Sequence, residues 1–371
     1  MAWPTRSCPK KMTTGASINT RLAYQQANAR EFWKRCCPCS RVPHCTVAVI
    51  DLLADGDART RWAELAAAAQ GAPPLPVPQG TDLAERLAEL TVPYDAIAEI
   101  VAIATRLGED HLEFIRVCAA AVLRAMGGRE VVRFPAPAPP SDLGRFGFVL
   151  MYAGLVPVIR DFHAQIGAPD SVSRATLADL GRNMHVYRRR YGTSGFDKQE
   201  WLALNFTGRL YQLGRLQFER TAVDRRTASA VSAAGVQTAP GDPVLSVHIP
   251  RYLGPLRPAE CDESVARAER FFATRFPAEQ NQLAICISWL LDPQLAALLG
   301  EQSNIATFQR RFALALPPEV DDVSPVVFTF DQPDRPRALL PRRSRLQQAV
   351  LDVLDRGGHW YTGTGWFGWP Q

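Results

Sequence analysis

Two side chains in the C-terminal half of the sequence carry acid–base potential, Glu219 and His248. Glu219 lies in the alternating apolar run Leu210 to Arg220, where desolvation beside Leu216 and Phe218 raises a carboxyl pKa and suits it to act as a base. The competing reading pairs it with Arg215 or Arg220 as an ordinary strand-end carboxylate. His248 falls near the end of the run Val244 to Ile249, just before Pro250, a place where side chains commonly face a cleft, and histidine is the side chain suited to act near neutral pH. His359 has the same capacity, but its neighbours Trp360 and Trp366 favour packing. Along the run Leu283 to Leu291, Ser288 and Cys286 fall on one face and Ile287 and Trp289 on the other. That face either presents a hydroxyl and a thiol to a site or lies under a helix. No G-x-S-x-G elbow or Ser-His-Asp order makes Ser288 or Cys286 a nucleophile. Arg310 and Arg311 can each grip an anion through paired N–H donors, though adjacent strand residues point to opposite faces, so at most one meets a given ligand. Arg188, Arg189 and Arg190 end a helix, where cations complement the dipole. Tyr211, Trp289, Trp360, Trp366 and Trp369 form either core or an apolar pocket.

The elements that must position these groups fall into two sets. Residues 57–204 read as about six helices: Arg59 to Gln70, Asp82 to Leu90, Tyr94 to Leu107, Asp110 to Met126, Asp142 to Ile166 interrupted at Pro157, and Ser173 to Arg190 with Ser173 as N-cap. Four prolines between Phe134 and Pro140 exclude regular helix there. From Phe206 the period shortens. Leu210 to Arg220, Val244 to Ile249, Leu283 to Leu291, Ile305 to Leu316 and Val326 to Phe330 read as strands. Asp262 to Phe276, Pro293 to Leu299 capped by Asp292, and Ser344 to Arg356 read as helices, and His359 to Phe367 as a strand with Gly363 and Gly365 as turn points. The fold class expected is α+β, an all-helical domain followed by a mixed α/β one.

The 371 residues suffice for two domains, and 47% hydrophobic with 21% charged residues is the composition of a folded chain. The net charge of +5 is misleading as a guide to partners. Residues 1–46 hold eight basic residues and one acid, Glu31, for +7, which leaves −2 on residues 47–371. A nucleic-acid surface on the body of the protein is therefore not expected, and a DNA-associated role would rest on the first 46 residues alone. Those residues read as a tail apart from the fold. They also hold Cys8, Cys36, Cys37, Cys39 and Cys45, and with His44 they form C-C-P-C-x4-H-C, too tightly spaced for a closed four-ligand zinc site, so no metal is expected. Cys118, Cys261 and Cys286 are expected reduced, with Cys118 and Cys286 in the core. The apolar stretch Phe146 to Ile159 is shorter than a membrane span and no apolar signal segment opens the chain, so a cytoplasmic protein without membrane contact is expected.

Five motifs in one order carry a resemblance: Gly208-Arg209-Leu210-Tyr211-Gln212-Leu213-Gly214-Arg215-Leu216-Gln217-Phe218-Glu219, Val247-His248-Ile249-Pro250, Ser288-Trp289-Leu290-Leu291-Asp292-Pro293, Ser303-Asn304-Ile305 with Phe308-Gln309, and Gly358-His359-Trp360 with Gly365-Trp366-Phe367. Together they resemble a bacterial acyltransferase-domain family with a helical N-acyltransferase N-terminal domain and a GNAT-like C-terminal domain. The resemblance extends over roughly residues 57–371 and, with the tail over 1–46 set apart, implies a helical domain over 47–204 and an acyltransferase domain over 205–371. It implies acyl or acetyl transfer from a CoA thioester, as co-substrate, to a small amine-bearing acceptor by direct attack. In that scheme Glu219, His248 and Ser288 are the catalytic candidates, and Asn304 at a strand start, Arg310 and Trp289 the CoA-binding ones.

The chain also departs from the family. Members often read Cys-His-Ser-Trp where it has Cys286-Ile287-Ser288-Trp289, and His where it has Asn205. The segment Leu291 to Leu299 lacks the Q/R-x-x-G-x-G/A loop with which GNAT enzymes hold the CoA pyrophosphate. These departures motivate the alternative of a non-catalytic binding or regulatory protein on the same scaffold.

Overall fold

Among the described residues, 49–72, 75–138, 141–332 and 335–369 of a computed structural model, helix prevails as far as Phe206. All of them belong to one unit, Cys45–Gln371. The tail cysteines and His44 lie outside the described residues. The helices are α1 (Gly56–Ala68), α2 (Gly80–Glu89), α3 (Tyr94–Ala104), α4 (Glu109–Ala125), α5 (Phe148–Gln165), α6 (Asp170–Leu177), α7 (Asp179–Tyr191) and α8 (Gln199–Phe206).

Three expectations for this half are corrected. A π-helical turn, Leu143–Gly147, leads into α5, which runs through Pro157 without a break. The Ala153 carbonyl, deprived of its helical donor by Pro157, accepts from Arg86 Nη1 at 3.4 Å instead. Ser173 is not an N-cap but lies inside α6, where its hydroxyl meets His163 Nδ1 at 2.8 Å. The last predicted helix is two, α6 and α7, sharing Ala178 as their junction.

The segment Leu143–Gln165 is long and apolar enough to cross a membrane, but 72% of its apolar 18-residue window is buried within the protein, as befits the central helix of this half. Gly181 lets α7 approach the α2–α3 connection: a Cβ there would lie 1.9 Å from Thr91 O.

The second half is a seven-stranded sheet ordered β1-β2-β3-β4-β7-β5, with β6 on another part of β7. Its elements are β1 (Leu210–Leu213), β2 (Leu216–Ala222), α9 (Arg225–Ala233), β3 (Pro243–His248), α10 (Pro258–Arg275), β4 (Leu283–Ser288), α11 (Gln294–Leu299), α12 (Asn304–Gln309), β5 (Ala313–Leu314), β6 (Glu319–Val320), α13 (Val323–Phe330), α14 (Arg345–Asp355) and β7 (Tyr361–Gly368). The architecture is α+β, as expected.

Several assignments within it change. Leu210 to Arg220 is a hairpin rather than one strand, turning at Gly214, whose φ of +87° suits glycine. Ile305 to Leu316 begins in the helix α12 and is strand only at Ala313–Leu314, and Val326 to Phe330 belongs to α13. Ser303 caps α12 through Ala306 N, so Asn304 begins a helix and not a strand. Gly363 and Gly365 do not turn the chain; they pair with Ser288 and Cys286 inside β7. A Cβ on Gly365 would lie 2.8 Å from Leu291 and Phe312, so glycine is required by close packing. The helix α9, capped by Asp224, was not anticipated.

The sheet has unlike faces. Tyr211, Phe218, Val247, Ala284 and Cys286 face α10 and α12 in an apolar cluster that includes Phe271, Phe272 and Phe308. On the opposite face α9 covers one end, packing Ala228 and Val231 on Val244, Leu283 and Ile285. The edge strand β1 is covered by α6, whose Thr176 hydroxyl accepts from Gln212 N at 3.0 Å.

Candidate active site

Strand pairing sets the site. Glu219 pairs with Ser246 and Gln217 with His248, so Gln217, Glu219, Ser246 and His248 all stand on the face opposite the α10 cluster. His248 is thus the diagonal neighbour of Glu219, within reach of its carboxylate. Its Nε2 lies 2.9 Å from Glu219 Oε2. A carboxylate only accepts, so Nε2 carries the hydrogen, and in the neutral imidazole the lone pair is then on Nδ1. Glu219 Oε1 accepts from Arg209 Nη2, and Arg209 Nη1 donates to Glu130 O at 2.9 Å. Burial alone would push the Glu219 carboxyl up. Hydrogen bonding and charge from His248 and Arg209 outweigh that and hold it below the usual carboxylate value. The expectation of a raised pKa is therefore overturned: Glu219 is a fixed anion that orients His248. The other expected partners of Glu219 are engaged elsewhere, Arg220 with Glu279 and Arg215 with backbone carbonyls.

The helical half supplies the back of the site. Trp201 of α8 meets the His248 ring edge-on, with centroids 4.9 Å apart. Its Nε1 donates to Asp179 Oδ2 at 2.8 Å, and burial raises the Asp179 carboxyl despite that bond. His248 keeps 25% of its side chain exposed whereas Glu219 keeps 12%, so the imidazole is the open member of the pair.

Next to His248 the sheet parts. The parallel strands β3 and β4 pair only at Leu245 with Ala284 and Ser246 with Ile285. Beyond these, Val247 and His248 pair with β2 alone, and Cys286 to Ser288 with β7 alone. The two central strands leave a wedge with facing backbone edges, His248 on one side and Ile287, 59% exposed, on the other. Of the two departures from the family pattern, Ile287 lies at this wedge. Asn205 is fully buried, donating to Thr176 O at 2.8 Å and tying α8 to α6.

A parallel pair requires a crossover helix, here α10, and the loop entering it follows the wedge directly. This loop reads Arg251-Tyr252-Leu253-Gly254-Pro255-Leu256. It matches R-x-x-G-x and ends in Leu where the family pattern has Gly or Ala. A partial match to the pattern therefore lies after β3, and none lies between Leu291 and Leu299. Arg215, 7% exposed, donates to the carbonyls of Pro250 at 2.9 Å, Gly254 at 2.7 Å and Pro255 at 3.2 Å. With its carbonyls held on one side by one guanidinium, the loop's amide groups precede an 18-residue helix whose positive end favours anions.

The remaining predicted residues lie elsewhere. Ser288 ends β4, and its Oγ accepts from Leu290 N at 3.1 Å, which leaves its O–H as a donor. Cys286 faces the core, where burial pushes its thiol up to about 12. Trp289 packs edge-on against Trp360 in the cluster under α14. Asn304 is half-buried at the start of α12, and Arg310, exposed, donates to Glu301 O and Thr307 Oγ1. Arg311 pairs with Asp262. His359 Nδ1 meets Asp322 Oδ2 at 2.8 Å on the surface. Arg209, Trp201, Asp179 and Arg215 were not anticipated as parts of the site. No local signal pointed to Arg209, because the hairpin register sets Leu210, not Arg209, opposite Glu219.

Comparison with known proteins agrees with this geometry. The pattern of an N-acyltransferase N-terminal domain matches residues 81–208 and that of a GNAT-like C-terminal domain residues 210–367. No match was found among curated proteins. An acyltransferase mutant solved with octanoyl-CoA is 33% identical over 87% of this chain and 99% of its own, with a TM-score of 0.79. An acyltransferase in complex with decanoyl-CoA and teicoplanin is also 33% identical with the same coverage and a TM-score of 0.78. A complex with CoA and 10C-teicoplanin is 32% identical, again over 87% and 99%, at 0.79. The helical half, the parted sheet and these relatives together establish that the chain belongs to the family of acyltransferases built from an N-acyltransferase N-terminal domain and a GNAT-like C-terminal domain.

Proposed function

We propose that this protein transfers an acyl group from acyl-CoA directly to the amine of a small acceptor, with His248 as general base. The observation that carries the proposal is the Nε2 contact of His248 with Glu219, which in the neutral imidazole puts the lone pair on Nδ1. The related structures holding octanoyl-CoA, decanoyl-CoA and teicoplanin support both the donor and a small-molecule acceptor.

In this scheme the pantetheine arm enters between β3 and β4 along their unpaired edges, and the pyrophosphate meets the Arg251–Leu256 loop. Backbone N–H groups at the parted edges polarise the thioester carbonyl. Nδ1 takes a proton from the acceptor ammonium, the amine attacks the carbonyl, and the tetrahedral adduct expels CoA thiolate, which takes up the second proton from the new amide nitrogen. The imidazolium is stabilised through Nε2 by Glu219, and the Ser288 O–H serves as a donor near the departing sulfur. Asn304 and Arg310 are retained as candidate contacts to the outer part of CoA, whereas Trp289 acts by holding the floor beneath them. Acyl-CoA as donor suits a cytoplasmic site of action.

The test is product analysis with decanoyl-CoA and a panel of amino-bearing acceptors. An acyl amide formed with one equivalent of free CoA, and lost on blocking the amine, is the expected result. Hydrolysis alone, or no turnover with any amine, would overturn the proposal.

A further inference from the structure

A cavity of about 490 Å³ lies between the start of α6, the β1–β2 turn and the flank of α10. Arg182, Arg267, Arg270 and Arg275 line it, and its described lining residues include no carboxylate. Two of the four are engaged. Arg267 pairs with Glu263 one turn earlier, and Arg182 donates to Ala175 O and stacks on Tyr252. Arg270 and Arg275 have no ion-pair partner among the described residues. Four guanidinium groups around one concavity create a field that an anion relieves.

Gln212 provides an independent observation. The residue is one of those lining the cavity and is only 4% exposed. Nε2 donates to Gly214 O at 2.6 Å and Leu216 O at 3.1 Å, and these two carbonyls fix which way the amide points. Oε1 is left without a donor. A buried acceptor in that state calls for an N–H or O–H from outside.

We propose that this cavity is an anion subsite that seats a carboxylate or phosphate against Arg270 and Arg275 while a hydroxyl or amine of the same molecule donates to Gln212 Oε1. Leu253 and Phe271 supply the apolar wall for the carbon skeleton between them. The cavity adjoins the catalytic face. Arg182 stacks on Tyr252, Tyr252 OH lies 3.4 Å from Gln217 Nε2, and Gln217 is the strand partner of His248. The bound anion therefore belongs to one of the two substrates, the acceptor or CoA. That last step rests on the proposed function; the anion site itself does not.

Citrate, which carries carboxylates and a hydroxyl, is the probe, titrated into the full chain at constant ionic strength. The wild type, Arg270→Gln/Arg275→Gln, and the distant control Arg226→Gln are compared by calorimetry, with CoA and 3′-dephospho-CoA as further ligands. Saturable citrate binding that weakens about tenfold or more in the double variant, and not in the control, is the expected result, since each lost contact is a charge-assisted hydrogen bond. If the double variant also abolishes the preference for CoA over dephospho-CoA, the anion is the 3′-phosphate. If that preference persists, the anion belongs to the acceptor. Citrate that fails to saturate the wild type, or binds the double variant equally well, would overturn the proposal whether or not the chain binds CoA.

Discussion

His163 is 1% exposed in the helical half and hydrogen-bonded only at Nδ1, to Ser173. Burial, helped by the nearby charge of Arg160, lowers its pKa from 6.5 to about 4. The folded state thus binds a proton less readily than the unfolded chain. Stability is unaffected above pH 6.5, falls as the unfolded histidine protonates below it, and levels off below about pH 4. At 1.36 kcal/mol per pH unit, the loss between pH 7.5 and 5.0 comes to about 2 kcal/mol. The perturbation is His163→Leu with Ser173→Ala, which removes the titrating group and its partner together. Urea unfolding of both proteins at the two pH values gives the difference directly. The wild type is expected to lose about 2 kcal/mol more than the double variant over this interval. Equal losses would refute the assignment of a buried neutral imidazole.

Three further outcomes follow from the site and its supports. Glu219→Gln should lower kcat about 100-fold at neutral pH by releasing the orientation of His248, read in steady-state CoA release. Because the Glu219 carboxyl lies below its ordinary 4.5 in the folded state, the stability it contributes is full above that pH and lost as the pH falls through the folded value; the variant should lack this acid-dependent loss in urea unfolding. Arg215→Met should free the Pro250, Gly254 and Pro255 carbonyls and raise KM for acyl-CoA about tenfold while kcat changes much less. Gly365→Val should cost about 1–3 kcal/mol by overpacking against Leu291 and Phe312, seen as a lower Tm.

The helices of the first half were legible because their apolar residues recur every three or four positions and glycines punctuate them. The assignments that changed turned on tertiary context. Pro157 reads as a break until Arg86 is seen to satisfy the freed carbonyl. Val323 to Phe330 is rich in β-branched and aromatic residues, yet it is helical because Val326 and Phe330, four apart, face the cluster under α14. The glycine loop was sought after the wrong strand, since only the parallel pairing of β3 with β4 identifies α10 as the crossover helix. Glu219 and His248 were each visible as chemistry-bearing residues. Their partnership was not, because it depends on a register linking positions 29 residues apart. His248 and Arg209 together reverse the expected direction of the Glu219 pKa, and nothing in local sequence reveals the cross-strand imidazole or a cation arriving from the preceding strand end.

Whether His248 is the base and Glu219 its support is decided by kcat for decanoyl-CoA and a competent amine acceptor with His248→Ala, alongside the Kd for the acyl-CoA. The expected result is a fall in kcat of about 100-fold or more with the Kd nearly unchanged. A kcat within a few-fold of wild type would contradict it and return the search for the base to other residues around the wedge.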